Sequence, residues 1–163
     1  LFEESNQIPF EDSIYKSSME QKSDNLILFE NDLHVPTLKD IFRKYKNVFI
    51  LLLENEQRKI KLSVSVLSFK KVLVSELIQQ FDNVILVEPV KCQQILENIN
   101  RLDMIYPGVG ENNDFINNFK MLNNKVIFNL VRDQDLFAWR FAKKGFFKFK
   151  ENIPKINQYV FGN

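Results

Sequence analysis

Four short apolar runs, separated by stretches of helical periodicity, constrain this chain more than any other feature. NLILFE (25–30), NVFILLLE (47–54), NVILVE (83–88) and KVIFNLV (125–131) are the length of strands. None alternates strictly between apolar and polar, so each reads as a strand covered on both faces. Between them the period changes. In TLKDIFRKY, Leu38, Ile41, Phe42 and Tyr45 recur at i, i+3, i+4 and i+7, which predicts a helix capped by Thr37, with Asp40 completing a capping box. SFKKVLVSELIQQF (68–81) predicts a helix from Ser68 with Phe69, Val72, Leu73, Leu77 and Phe81 inward, and VKCQQILENINRL (90–102) another with Cys92, Ile95, Leu96, Ile99 and Leu102 on one stripe. Helices are also expected after the turn IYPGVGENN, with Phe115, Ile116, Phe119 and Leu122 inward, over QDLFAWRFAKK (134–144), and around 154–161.

Two further segments look extended. KIKLSVSVL (59–67) alternates Ile60, Leu62, Val64 and Val66 with lysines and serines, as an edge strand with one wet side would, and GFFKFK (145–150) alternates rings with lysines. Strands and helices taking turns, with short connections, predict an α/β fold: a three-layer α/β/α sandwich of five to seven strands around a mostly parallel, Rossmann-like or flavodoxin-like sheet. The division expected is an acidic N-terminal arm over residues 1–24 and a single α/β domain over 25–163. The chain begins at Leu1, which reads as a piece of a longer polypeptide or a processed product.

Composition removes several functions. With Cys92 the single cysteine and His34 the single histidine, an internal disulfide, a cysteine-rich zinc site and a histidine-cluster zinc centre are excluded. Cys92 sits on an apolar stripe and reads as a small buried hydrophobe. A lone cysteine and the lack of a signal-peptide core favour a reducing, cytoplasmic-type compartment. No run approaches the ~18 apolar residues of a membrane span. A bias to 18 Asn, 17 Lys, 16 Phe and 15 Ile against 2 Ala and 4 Gly fits an AT-rich genome. No glycine-rich turn follows an early strand, so Glu88 lacks the partner a dinucleotide site would need, and Pro107–Gly110 reads as a tight turn.

Three constellations remain. A parallel sheet brings the exits of its strands to one rim, where open α/β sheets hold ligands. Here the exits carry Glu30 and Asp32, Glu54, Glu88, and Asp133 with Asp135. Two or three such carboxylates could share a Mg²⁺ or Mn²⁺, with His34 as an acid–base partner. As simple terminators they would only keep the next loop in water, and Asp133–Gln134–Asp135 is equally explained by helix capping. The second constellation is the aromatic and basic segment 132–156. On a helix, Arg140, Lys143 and Lys144 share a sector flanked by Trp139, and Lys148 and Lys150 line one side of the expected strand. It reads either as a surface for a protein or nucleic acid, or as the closing edge of a core.

The third is charge polarity. Residues 1–36 carry a net charge of −6 and residues 132–163 a net of +4, so the acidic arm is a candidate to lie on the basic segment. The leading functional expectation is a non-catalytic binding or assembly domain, with a protein partner or the rest of a parent chain as its ligand. Two alternatives stand beside it: a divalent-metal-dependent transferase or hydrolase acting on a phosphate-containing substrate such as a nucleotide sugar, and a nucleic-acid-binding module.

Overall fold

The computed structural model describes residues 20–142 and 145–162 of the chain. They fall into two compact units, Gln21–Asn129 and a second that holds the described residues from Leu130 onward. The first unit carries strands β1 (Asn25–Phe29), β2 (Asn47–Leu51), β3 (Val84–Val87), β4 (Arg101–Ile105) and most of β5 (Val126–Leu130), with helices α1 (Val35–Phe42), α2 (Val64–Ile78), α3 (Cys92–Ile95) and α4 (Glu111–Leu122). The second carries α5 (Asp133–Ala142), α6 (Phe146–Glu151) and α7 (Ile153–Phe161). Residues 1–19 of the expected acidic arm, with Lys143 and Lys144 of the basic segment, lie outside the described residues.

The sheet runs in the order β3-β2-β1-β4-β5, with β1 parallel to both β2 and β4, and β2 parallel to β3. This is the Rossmann-type order. A flavodoxin-like sheet would run 2-1-3-4-5. Register and the two-residue side-chain period then sort the core into two faces. Ile27, Phe29, Phe49, Leu51, Val87, Leu102 and Met104 share one face and cluster with Cys92, Leu96, Ile116 and Phe119 from α3, the turn after it and α4. On the other, Leu26, Leu28, Val48, Ile50 and Val84 are equally buried, together with Leu38 and Phe42 of α1 and Val74 and Leu77 of α2. Both faces of β1 and β2 are therefore dry, which is why their sequences run apolar without alternation.

Four local expectations are corrected. Residues 59–67 form no strand: the chain is irregular to Ser63, whose hydroxyl accepts from Val66 N at 3.3 Å and opens α2 there. A parallel β2–β3 pair requires a crossover of a dozen or more residues, and the fifteen of α2 supply it. The stripe at 90–102 is cut to the four-residue α3, because Lys125 Nζ donates to Leu96 O at 2.7 Å and Glu97 O at 3.0 Å and so ends it. Leu102 consequently sits on β4. Residues 146–151 are helix α6 instead of the GFFKFK strand. Finally α1 starts at Val35 with Pro36 in its first turn and His34 at the N-cap, which places Thr37 inside the helix.

β4 escaped notice because Asp103 interrupts its apolar run. That carboxylate is fully buried on the face of Leu26, its register partner. Its Oδ2 accepts from Lys22 N at 2.8 Å, Ser23 N at 3.2 Å and the Tyr45 hydroxyl at 2.8 Å. The strand entrance, the end of α1 and the residues before β1 are thus tied to one oxygen. Burial, with Asp103 beside it, holds the Tyr45 phenol well above its ordinary range. An unfolded tyrosine ionises near ~10, so the stability this arrangement contributes is complete below about pH 10 and is lost as the pH rises beyond it. Tyr45→Phe is expected to cost about 1–2 kcal/mol in urea unfolding at neutral pH. It should also flatten the alkaline fall in stability, and an unchanged fall in the variant would show that Tyr45 does not cause it.

Candidate functional site

In an open α/β sheet the ligand crevice lies beyond the strand exits where the winding reverses, here between β1 and β4. The first residue out of β1 is Glu30, whose side chain is 1% exposed. A carboxylate so dry needs compensation. Arg58, itself 7% exposed, supplies it: its Nη2 donates to Glu30 Oε1 at 2.7 Å, and Lys70 Nζ from α2 reaches the same oxygen at 3.2 Å. Arg58 is fixed in turn by donating from Nε and Nη2 to Leu53 O, at 3.1 and 2.9 Å. Its Nη1 lies 3.5 Å from Glu111 Oε2 at the start of α4.

Glu111 has a second role. Its Oε1 accepts from the backbone of Lys59 at 2.6 Å and Ile60 at 3.0 Å. These backbone donors, foremost Ile60, and the nearby guanidinium hold its carboxyl below the usual carboxylate range. The arrangement joins the exits of β1 and β2 to the start of α4 through one guanidinium. Glu30 Oε2 and Asn112 Oδ1 are buried without a hydrogen-bond partner.

The other rim carboxylates follow the same pattern. Glu54 pairs with Lys71 at 2.8 Å, and the hydrogen bond raises the lysine's pKa. Glu88 pairs with Lys91 at 2.5 Å, and the hydrogen bond to the ammonium lowers the acid's. Asp135, with Asp133 in the first turn of α5, takes Arg132 Nε at 2.7 Å. Asp32 is buried in the turn after β1, where its N–H donates to Phe29 O, and His34 is exposed. Among the described residues no three His, Cys, Asp or Glu side chains are grouped to hold a metal ion. The structure brings Glu30, Glu54 and Glu88 to the exits of three adjacent strands and gives each its own base.

Sequence reasoning missed Arg58, Lys70 and Glu111. Arg58 carried a weak signal as an arginine in a segment otherwise basic through lysine. Glu111 carried a better one, an acid directly after Gly110 at a helix start.

Cys92 is sealed in the core, where burial pushes its thiol up to about 12. It therefore holds almost no thiolate at neutral pH.

The aromatic and basic segment takes a form of its own. Phe137 stacks on Tyr159 with centroids 4.1 Å apart and planes 7° from parallel, and meets Phe141 edge-on at 5.4 Å. The stacked pair joins α5 to α7 without burying either helix, and Arg140 lies over Phe137 at 5.9 Å. Trp139 is half-buried. Because residues 146–151 are helical, the strand alternation expected of Lys148 and Lys150 has no strand to rest on. Among the described residues no helix is long and apolar enough to cross a membrane.

Two measurements test this site. Arg58→Ala leaves a dry carboxylate with only Lys70 and is expected to cost about 3 kcal/mol in chemical denaturation, whereas Lys70→Ala should cost at most about 1 kcal/mol. Equal small losses would show that Glu30 is solvated in solution. At pH 8 the folded protein should leave Cys92 unmodified by a thiol reagent that labels it completely in denaturant. Compared with protein-family models and with curated proteins, the sequence matches none.

Proposed function

We propose that this chain is a non-catalytic binding or assembly domain, with the outer face of α2 as its docking surface. The observation that carries the reading is the contrast between a satisfied rim and an unsatisfied flank. The carboxylates of Glu30, Glu54 and Glu88 are each neutralised by the chain's own bases. On α2 only Val74 and Leu77 are buried, while Val64, Phe69 and Val72 are exposed at 80%, 63% and 53%, and Ile60 just before the helix at 78%. Apolar surface gathered on one element marks an interaction site, and here it borders β3, the outermost strand of its side of the sheet.

The metal-dependent transferase reading makes the opposite demand, that the rim carboxylates release their bases to share an ion. A Mn²⁺ titration followed by NMR line broadening separates the two. No localised broadening is expected, and broadening confined to the neighbours of Glu30, Glu54 and Glu88 would overturn the proposal in favour of a metal site. For the docking face, Phe69→Ser with Val72→Ser should more than halve the fluorescence of a bound hydrophobic dye while leaving far-UV circular dichroism unchanged. Undiminished dye binding would place the apolar surface elsewhere.

A further inference from the structure

Between β2 and α2 the chain makes an excursion whose construction differs from everything around it. Its neck is closed by one side chain: Asn55 Nδ2 donates to Leu62 O at 2.9 Å, and Leu62 N donates back to Asn55 Oδ1 at 2.8 Å. Between these residues no apolar side chain is buried, and the one side chain that is, Arg58, makes polar contacts. The apolar side chain at its tip, Ile60, points to solvent. The tip is held down by polar contacts to Glu111, namely the Lys59 and Ile60 N–H groups on Oε1 and Arg58 Nη1 near Oε2, with Lys59 Nζ 3.9 Å from Asp114 on the same helix. Beneath the tip the Arg58 guanidinium lies on Glu30.

We infer that residues 55–62 form a hinged strap over the crevice between β1 and β4, shut by the Glu111 carboxylate and able to open while the sheet stays intact. A segment with a fixed neck and no buried apolar side chain, held by the polar contacts of Glu111 and Arg58 alone, belongs to the less stable part of a structure, because opening it exposes almost no apolar surface. Closing it again costs little entropy, since the Asn55–Leu62 pair already holds the ends together. Opening withdraws Arg58 from Glu30 and uncovers a carboxylate that has one oxygen without a donor even when the strap is shut. The strap is therefore a gate on the part of the fold where ligands of α/β sheets enter. Its hinges are the residues flanking Asn55 and Leu62.

Amide hydrogen exchange on the intact chain tests this. In the wild type the Lys59 and Ile60 amides are expected to exchange at least about a hundredfold faster than the β-strand amides of Ile27 and Ile50, because they open without global unfolding. Glu111→Ala, which removes the acceptor, should speed Lys59 and Ile60 by a further factor of about ten and leave Ile27 and Ile50 unchanged. Glu111→Gln keeps an acceptor and loses only the charge, so its effect should be smaller and confined to the same two amides. It also remains readable if the alanine variant folds poorly. Tryptic cleavage after Lys59 and Lys61 should accelerate in the same order. Wild-type Lys59 and Ile60 amides as slow as those of the strands would overturn the inference, as would a Glu111→Gln variant in which strap and strand amides accelerate together.

Discussion

A carboxylate placed at the exit of a strand buried on both faces has to be neutralised where it stands, and Glu30 sets that requirement for the whole edge of the sheet. It leaves β1, the strand through which β2 and β4 are joined. Water cannot reach it, so the charge is met by Arg58 from beyond β2 and by Lys70 from α2. Arg58 carries the excursion after β2 across to Glu111 and α4, and α2, whose Val74 and Leu77 are buried, brings Lys70 to Glu30 while Phe69 and Val72 stay outside. The ionic network at the rim and the apolar flank of α2 both go with that one orientation.

Sign and geometry are what the proposed docking role rests on at the rim. A cation is held when several carboxylates turn their oxygens to one point and find no base there first. Here Lys71 and Lys91 come from the crossovers that leave Glu54 and Glu88, so each strand exit meets a base supplied by its own connection. Surface pairs of this kind contribute little to stability. Their effect is to spread the rim's charge as local dipoles, which under the proposed role leaves the apolar flank for recognition.

The α/β class, the three early strands, the apolar stripe of α1 and that of α4 as far as Phe119 were legible because continuous apolar runs and helical periodicity respond to burial, which the sheet dictates; Leu122, expected inward, is exposed at the end of α4. Strand order was not, since nothing in Leu26 or Val48 distinguishes one apolar neighbour from another. β4 was hidden by Asp103, whose three donors come from residues 22, 23 and 45, far away in sequence. The alternation of Ile60, Leu62, Val64 and Val66 suggested a strand because the pattern reports side chains with a consistent environment, and here Ile60 and Val64 are both exposed. The rim carboxylates were legible as a group. Their partners were not, because arginines and lysines are read from sequence as solvent-facing until a buried acid calls for one. In the ring-dense segment 132–156, Phe137 meets Phe141 on α5 and stacks on Tyr159 of α7, a pairing across helices that periodicity within one helix does not reveal.

The position of β1 has a consequence for the order in which the fold assembles. Its pairing with β2 closes across the short α1, and β2 with β3 across the fifteen-residue α2, so 25–87 is a run of consecutive parallel units. The pairing of β1 with β4 matches Leu26 to Asp103, and it must wait for everything between them to be gathered in. Loop-closure entropy makes such a contact late. Refolding should pass through a barrier in which β1, β2 and β3 are already joined, and Asp103 would then enter the core as the step that commits the chain.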